Sequence, residues 1–273
     1  MRDATCLRFA RSAFAASRDA RYEALVDLGA IRKPLRAAGF AALTASSLVL
    51  LTARERLTAS DGQTAVLARH KKRYFGAMLQ LFGADLEVLN GPPPPATRAR
   101  LVIANHRSAL DIGVLMWLFD AQVLSRGDLA NWPLVGYGAR RLGTLFVDRA
   151  DQASRAGAVR VMRRALQAGR TIVVFAEGTT FGGDEVRAFH PGAFLAARGL
   201  DVEILPVGLA YEPGADFASA TFGAHVVEVA ARRSSRVVAN IGTPITPVRD
   251  PRVTAEHVRD AVVQLVVEAR RKV

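Results

Sequence analysis

Cysteine is almost absent: Cys6 is the sole one in 273 residues. That excludes an internal disulfide framework and any metal site built on clustered thiolates. The histidines His70, His106, His190, His225 and His257 are scattered and no H-E-x-x-H occurs, so no metal is expected. Nothing in the chain asks for a cofactor either. There is no G-x-S-x-G, which leaves no serine at a strand-to-helix elbow to act as nucleophile. Acidic residues are short, 25 against 37 Lys plus Arg, a net charge of +12. An excess of this size predicts attraction to polyanions, either nucleic acid or an anionic membrane surface, with a merely compositional origin as the alternative. Aromatics make up only 7% and no recognition helix or RNA-binding signature is present, so nucleic acid is not the expected partner.

What is present is apolar: 50% of the residues, in a chain long enough to bury a core. Residues 7–28 mix Leu7, Phe14, Tyr22, Leu25 and Val26 with Arg8, Arg11, Arg18 and Arg21, and can be drawn as an amphipathic helix on an interface. The run 37–53 (AAGFAALTASSLVLLTA) is uncharged and flanked by Arg32, Lys33 and Arg36 before it and Arg54 and Arg56 after it. As a helix it reaches roughly 25 Å, short of the roughly 30 Å hydrocarbon core. A helix dipping into the membrane, a marginal span and a buried core helix all remain open. A secretory signal fits poorly, because the run starts far from Met1.

The segment Gly91–Pro95 (GPPPP) can be neither helix nor central strand, and marks a linker. Residues 71–82 before it read as an amphipathic helix and 85–89 as a short strand. After it, apolar runs of strand length recur at 100–104, 121–124, 143–147, 171–175, 203–208 and 236–241. Helical patterns separate several of them, as at 151–168 and in the 190s. Strands too apolar to alternate suit a sheet covered on both faces. A last helix is expected over 254–271. The fold class is therefore α/β: a largely parallel mixed sheet flanked by helices, with an N-terminal helical membrane-associating segment. Residues 1–63 are assigned to that segment and 64–273 to the α/β domain.

The most informative stretch is LVIANHRSALD, residues 101–111. Its strand ends at Ala104, so Asn105 and His106 fall beyond the carboxyl end, where open α/β sheets keep their sites. Ser108 to Asp111 reads as a capping box opening a helix. Five positions on a straight helix amount to about 500°, which would aim His106 and Asp111 apart. They meet only if His106 lies in the turn and Asp111 in the first helical turn. Asp111 would then fix the imidazole tautomer and leave its other nitrogen to take a proton from a substrate hydroxyl. The plain alternative is that Ser108 caps and Asp111 sits at the positive helix end.

LVIANHRSALD also resembles the first block, N-H-x-S-x-x-D, of the glycerolipid acyltransferase family typified by 1-acylglycerol-3-phosphate acyltransferase. The resemblance continues in order. Residues 128–149 (DLANWPLVGYGARRLGTLFVDR) look like the second block, GRTIVVFAEGTT at 169–180 like the third and EILPVGL at 203–209 like the fourth. With RVVANIGTPI it spans roughly residues 64–250.

By that resemblance His106 is the general base and Asp111 its partner. Phe146, Asp148 and Arg149 recognise the acceptor. Glu177, Gly178 and Thr179 belong to an anionic headgroup site, and Pro206 shapes a cleft. Asn105, Ser108 and Thr180 join the substrate-binding groups. Alternatives stay open: Arg149 pairing with Asp148 or Asp151 on the surface, Glu177 as an acid of the next turn, and Pro206 as the mark of an edge or bulge. The third block departs from the family: Ala176 replaces a proline and Thr180 an arginine, which removes a phosphate ligand that Arg187 could replace. His190 stands where the family often has lysine. The implied activity is transfer of an acyl group from acyl-CoA or acyl carrier protein to the hydroxyl of a lysophospholipid such as 1-acylglycerol-3-phosphate. Lyso-ornithine lipid is the alternative acceptor. The implied location is the cell membrane with the site on the cytoplasmic side. A non-catalytic basic membrane- or nucleic-acid-binding protein is the rival of another class.

Overall fold

A computed structural model describes residues 28–131, 135–147, 152–217, 219 and 221–273. The amphipathic helix expected over 7–28 lies outside these residues except for its last position. In order the elements are α1 (Leu28–Leu57), α2 (Gln63–Leu81), β1 (Ala84–Leu89), β2 (Ala99–Ala104), α3 (Leu110–Leu118), β3 (Gln122–Arg126), α4 (Val135–Arg141), β4 (Leu145–Val147), α5 (Gln152–Gln167), β5 (Thr171–Phe175), α6 (Gly192–Ala197), β6 (Val202–Tyr211), α7 (Phe222–Ala231), β7 (Ser235–Ile241) and α8 (Pro251–Arg270).

The strands form one 7-stranded sheet in the order β1-β7-β6-β2-β5-β3-β4. Every neighbouring pair is parallel except β6–β7. The largely parallel mixed sheet expected from the apolar runs is what the chain builds. Its central strands are buried on both faces, and the period-two pleat sends alternate residues to different cores. Val102 and Ala104 of β2 join one core with α1, α2, α3 and α7. Leu101 and Ile103 join the other with α5, α6 and α8.

Three boundaries differ from the sequence reading. Gly143, read into a strand, instead follows α4 at φ +83° and sends its N–H back to the carbonyl of Arg140, ending that helix. β6 runs through Gly208 to Tyr211 rather than stopping there. A Cβ at Gly208 would come 2.6 Å from the backbone of Leu265, so this glycine lets α8 lie close on the sheet. Helix α3 begins at Leu110, and the Ser108 hydroxyl reaches the Leu110 N–H only at 3.4 Å.

Helix α1 is 30 residues long and extends well past the uncharged run. By length and composition it is apolar enough to cross a membrane. It buries only Thr44 and Leu51, while Leu35 and Val49 are about 70% exposed at 69% and 72%. It is nevertheless anchored: the Arg36 guanidinium donates to the carbonyls of Val229, Ala230, Arg232 and Arg233, capping the carboxyl end of α7.

Candidate active site

The apolar strand β2 ends at Ala104, and the chain turns before α3 begins. Asn105 starts the turn. Its side-chain amide donates to the Leu209 carbonyl and accepts from the Leu209 N–H, each at 2.8 Å, so the turn is tied to β6. His106 follows, and Asp111 stands in the first turn of α3. The His106 Nδ1–H donates to Asp111 Oδ2 at 2.7 Å, with Asp111 fully buried and the imidazole mostly so. The turn geometry therefore brings together two side chains that a continuous helix would part.

Both partners are held firmly. Oδ2 of Asp111 also accepts the backbone N–H groups of Arg107 at 2.6 Å and Ser108 at 2.8 Å. Oδ1 accepts the Tyr211 hydroxyl at 2.6 Å. Burial, and then the charge of Asp111, push the Tyr211 phenol well above its ordinary pKa, so it stands as a neutral donor. The His106 ring stacks on Phe175, centroids 4.0 Å apart and planes within 13°. With Nδ1 committed to the carboxylate, Nε2 forms no bond among the described residues. An imidazole so arranged can exchange a proton with a bound hydroxyl.

Glu177 sits on the other side of the turn, after β5. It was expected to face an anionic headgroup, but its carboxylate is buried and fully occupied. Arg107 binds it in a fork, Nη1 to Oε2 and Nη2 to Oε1, both at 3.0 Å. It also accepts the backbone N–H of His106 at 2.8 Å and of Arg187 at 2.9 Å. Its place is thus inside the scaffold that fixes the backbone of His106. Arg107, which the sequence reading passed over, supplies the charge that makes this burial tolerable.

The other expected residues divide clearly. Ser108 is fully buried and shares a 3.1 Å hydrogen bond with His225, so both it and Asn105 are sealed within the protein and not open to a ligand. His225 is buried as well, which lowers its pKa and keeps the ring neutral. Gly178 adopts φ +80°, and a Cβ there would lie 2.8 Å from the His190 ring. Thr179 is exposed and Thr180 half-buried on the same loop. The Arg187 guanidinium lies exposed over the Phe181 ring at 3.5 Å. Pro206 pairs with Ile103 inside the sheet, not at the strand ends. It sits where β6 and the chain after β7 slip register: Val207 faces Ile241, yet Ile204 bridges Ile245. That is the bulge which a residue without an N–H suits. Asp148 and Arg149 lie outside the described residues.

Phe146, expected to take part in acceptor recognition, lines an apolar cavity of about 250 Å³ whose wall comes from α1, α2, α3, α4, α7 and the strands β3 and β4. Ala109, Leu110 and Ile112 form part of its wall, so it adjoins the His106–Asp111 turn. Two polar pairs tie α1 to α2 along it: Ser47 with His70 at 2.7 Å, and Thr44 with Tyr74 at 3.0 Å. Among the described residues no group of three or more His, Cys, Asp and Glu side chains is gathered to hold a metal ion.

Comparison with known proteins agrees with this architecture. The family model described as Acyltransferase matches residues 87–210, from β1 to β6. The lyso-ornithine lipid O-acyltransferase of Pseudomonas aeruginosa is 32% identical over 184 residues, 66% of this chain and 69% of that protein. The 1-acyl-sn-glycerol-3-phosphate acyltransferase of Helicobacter pylori is 28% identical over 145 residues, 52% of this chain and 60% of that one. The crystal structure of the 1-acyl-sn-glycerophosphate acyltransferase of Thermotoga maritima superposes with a TM-score of 0.67, covering 86% of this chain and 97% of its own. At 19% identity that last likeness speaks for the fold. A strand-end histidine–aspartate turn in this sheet, with these relatives, leads to one conclusion: the chain belongs to the acyltransferase family.

Proposed function

We propose that the protein moves a fatty acyl chain from a thioester donor, acyl-CoA or acyl carrier protein, to the hydroxyl of a lysophospholipid of the 1-acylglycerol-3-phosphate type. The observation that carries this reading is the His106–Asp111 pair beside an apolar cavity with room for part of an alkyl chain. His106 Nε2 takes the proton of the acceptor hydroxyl as its oxygen attacks the thioester carbonyl. The new C–O bond forms and the C–S bond breaks. The leaving thiolate recovers the proton from the imidazolium. Asp111 stabilises that imidazolium and holds the ring in place. No acyl-enzyme is needed. Gly178, Thr179, Thr180, Arg187 and His190 form the accessible rim where a headgroup would lie. Asp148 and Arg149 are assigned to acceptor recognition by the motif alone.

Lyso-ornithine lipid is the second acceptor reading. Thr180 in place of an arginine weakens the case for a bare phosphate, and the Pseudomonas relative bears that name. The exposed apolar residues of α1, Ile31, Leu35, Val49 and Leu50, support a helix that beds into the membrane while Arg36 keeps it on the domain. Residues 1–63 are accordingly assigned to membrane association and 64–273 to the catalytic domain. Because both donors are cytoplasmic, so is the active face.

A panel of lysolipids offered with each donor, read by mass spectrometry of the products, tests the reading. Diacylated product from one acceptor class is expected. Thioester consumption that does not depend on any added lysolipid would overturn it.

A further inference from the structure

We infer that Tyr211 is a positioning residue for the His106–Asp111 pair, acting through the one carboxylate oxygen that the turn leaves without a donor. This rests on the reading of His106 as the base.

The turn satisfies only half of Asp111. Three donors, the His106 ring and the N–H groups of Arg107 and Ser108, converge on Oδ2. Oδ1 meets only the Tyr211 hydroxyl, at 2.6 Å. Tyr211 is the last residue of β6, so its ring arrives from a different element than the turn it steadies. The phenol is 1% exposed and Asp111 is 0%, so bulk solvent does not reach Oδ1. A desolvated carboxylate oxygen with no donor is costly, which works against this orientation of the side chain and favours its rotation. That rotation would swing Oδ2 away from His106. The ion-neutral bond at Oδ1 therefore sets both the rotamer of Asp111 and the amount of negative charge it presents to the imidazole.

The surroundings of the pair are few. Arg107 and Glu177 neutralise each other beneath the turn. His225 from α7 stands behind Ser108; its buried Nδ1 makes no hydrogen bond among the described residues but lies 3.9 Å from a Glu228 carboxylate oxygen, and Asp216 also acts on the ring through its charge. None of these offers a hydrogen bond to Oδ1.

Tyr211→Phe keeps the ring and removes only the hydroxyl. The full-length enzyme in vesicles should lose about tenfold to a hundredfold in kcat, the range of a hydrogen bond to a charged group. KM for donor and acceptor should stay within about twofold. With Oδ2 turned away from His106, the imidazolium loses its counter-charge, and the acid limb of the kcat/KM profile should move to lower pH. In an Asp111→Asn background, Tyr211→Phe should cost little further. An unmoved pH profile, or a loss that simply adds to that of Asp111→Asn, would overturn the inference and leave Tyr211 as packing. Those results with an inactive His106→Ala enzyme would sink only this inference. Normal turnover by His106→Ala would instead sink the base reading beneath it.

Discussion

Asp111 and Glu177 are both buried carboxylates, both meet several donors, and both reach His106, yet from opposite ends. Asp111 grips the ring, five positions along the chain, in a turn that one short stretch of sequence specifies. Glu177 grips the backbone N–H, and it is fixed by an arginine 70 positions away across the sheet. The first region governs a proton and the second governs where the turn lies. Removing a carboxylate from each should therefore damage different things.

Asp111→Asn should show the largest effect, a fall in turnover of about a hundredfold to ten-thousandfold, because the amide no longer fixes the tautomer or steadies the imidazolium. Its melting temperature should change far less than its activity. Glu177→Gln leaves the Arg107 guanidinium buried without its counter-charge, and should lower stability by about 3–5 kcal/mol, read by urea unfolding. A Glu177→Gln enzyme as stable as the parent but inactive would reverse the assignment and place Glu177 in the chemistry.

Gly178→Ala sharpens the comparison within the second region. The positive φ and the crowding against His190 should cost about 1–2 kcal/mol and disturb the rim rather than the His106 ring. The acceptor KM should rise more than kcat falls.

The smallest effect concerns the buried histidines. Burial lowers the pKa of His70 and His225 below the ordinary 6.5, so the unfolded chain binds protons that the folded one refuses. Their contribution to stability is complete above that value and is lost as pH falls from it through the folded pKa. His225→Gln should flatten the decline of melting temperature as pH falls below about 6.5. An unchanged slope would show that its neutral form is not what the fold selects.

Much of this was legible in one dimension. The sheet could be read because its strands are apolar enough to be covered on both faces, and the His106–Asp111 pair because it is local. Arg107 was overlooked, although a lone cation between the apolar β2 and the apolar α3 signals a buried charge in want of a partner. Which acid it finds is a matter of how β5 returns beside β2, and no spacing rule contains that. Tyr211 was missed for a related reason: Gly208 looked like the end of a strand, when it marks where α8 presses closest. Glu177 and Ser108 stand at motif positions, but their side chains point into the protein. Motif position alone does not distinguish holding a ligand from holding the loop that meets one. The cavity was invisible because its lining comes from five helices and two strands spread along the chain.

The central claim is tested most directly by following thiol release from an acyl thioester by the His106→Ala enzyme in lysolipid-containing vesicles. Vesicle binding and melting temperature should match the parent while turnover drops by about 10²–10⁴. Turnover within a fewfold of the parent would contradict a proton-accepting role for His106.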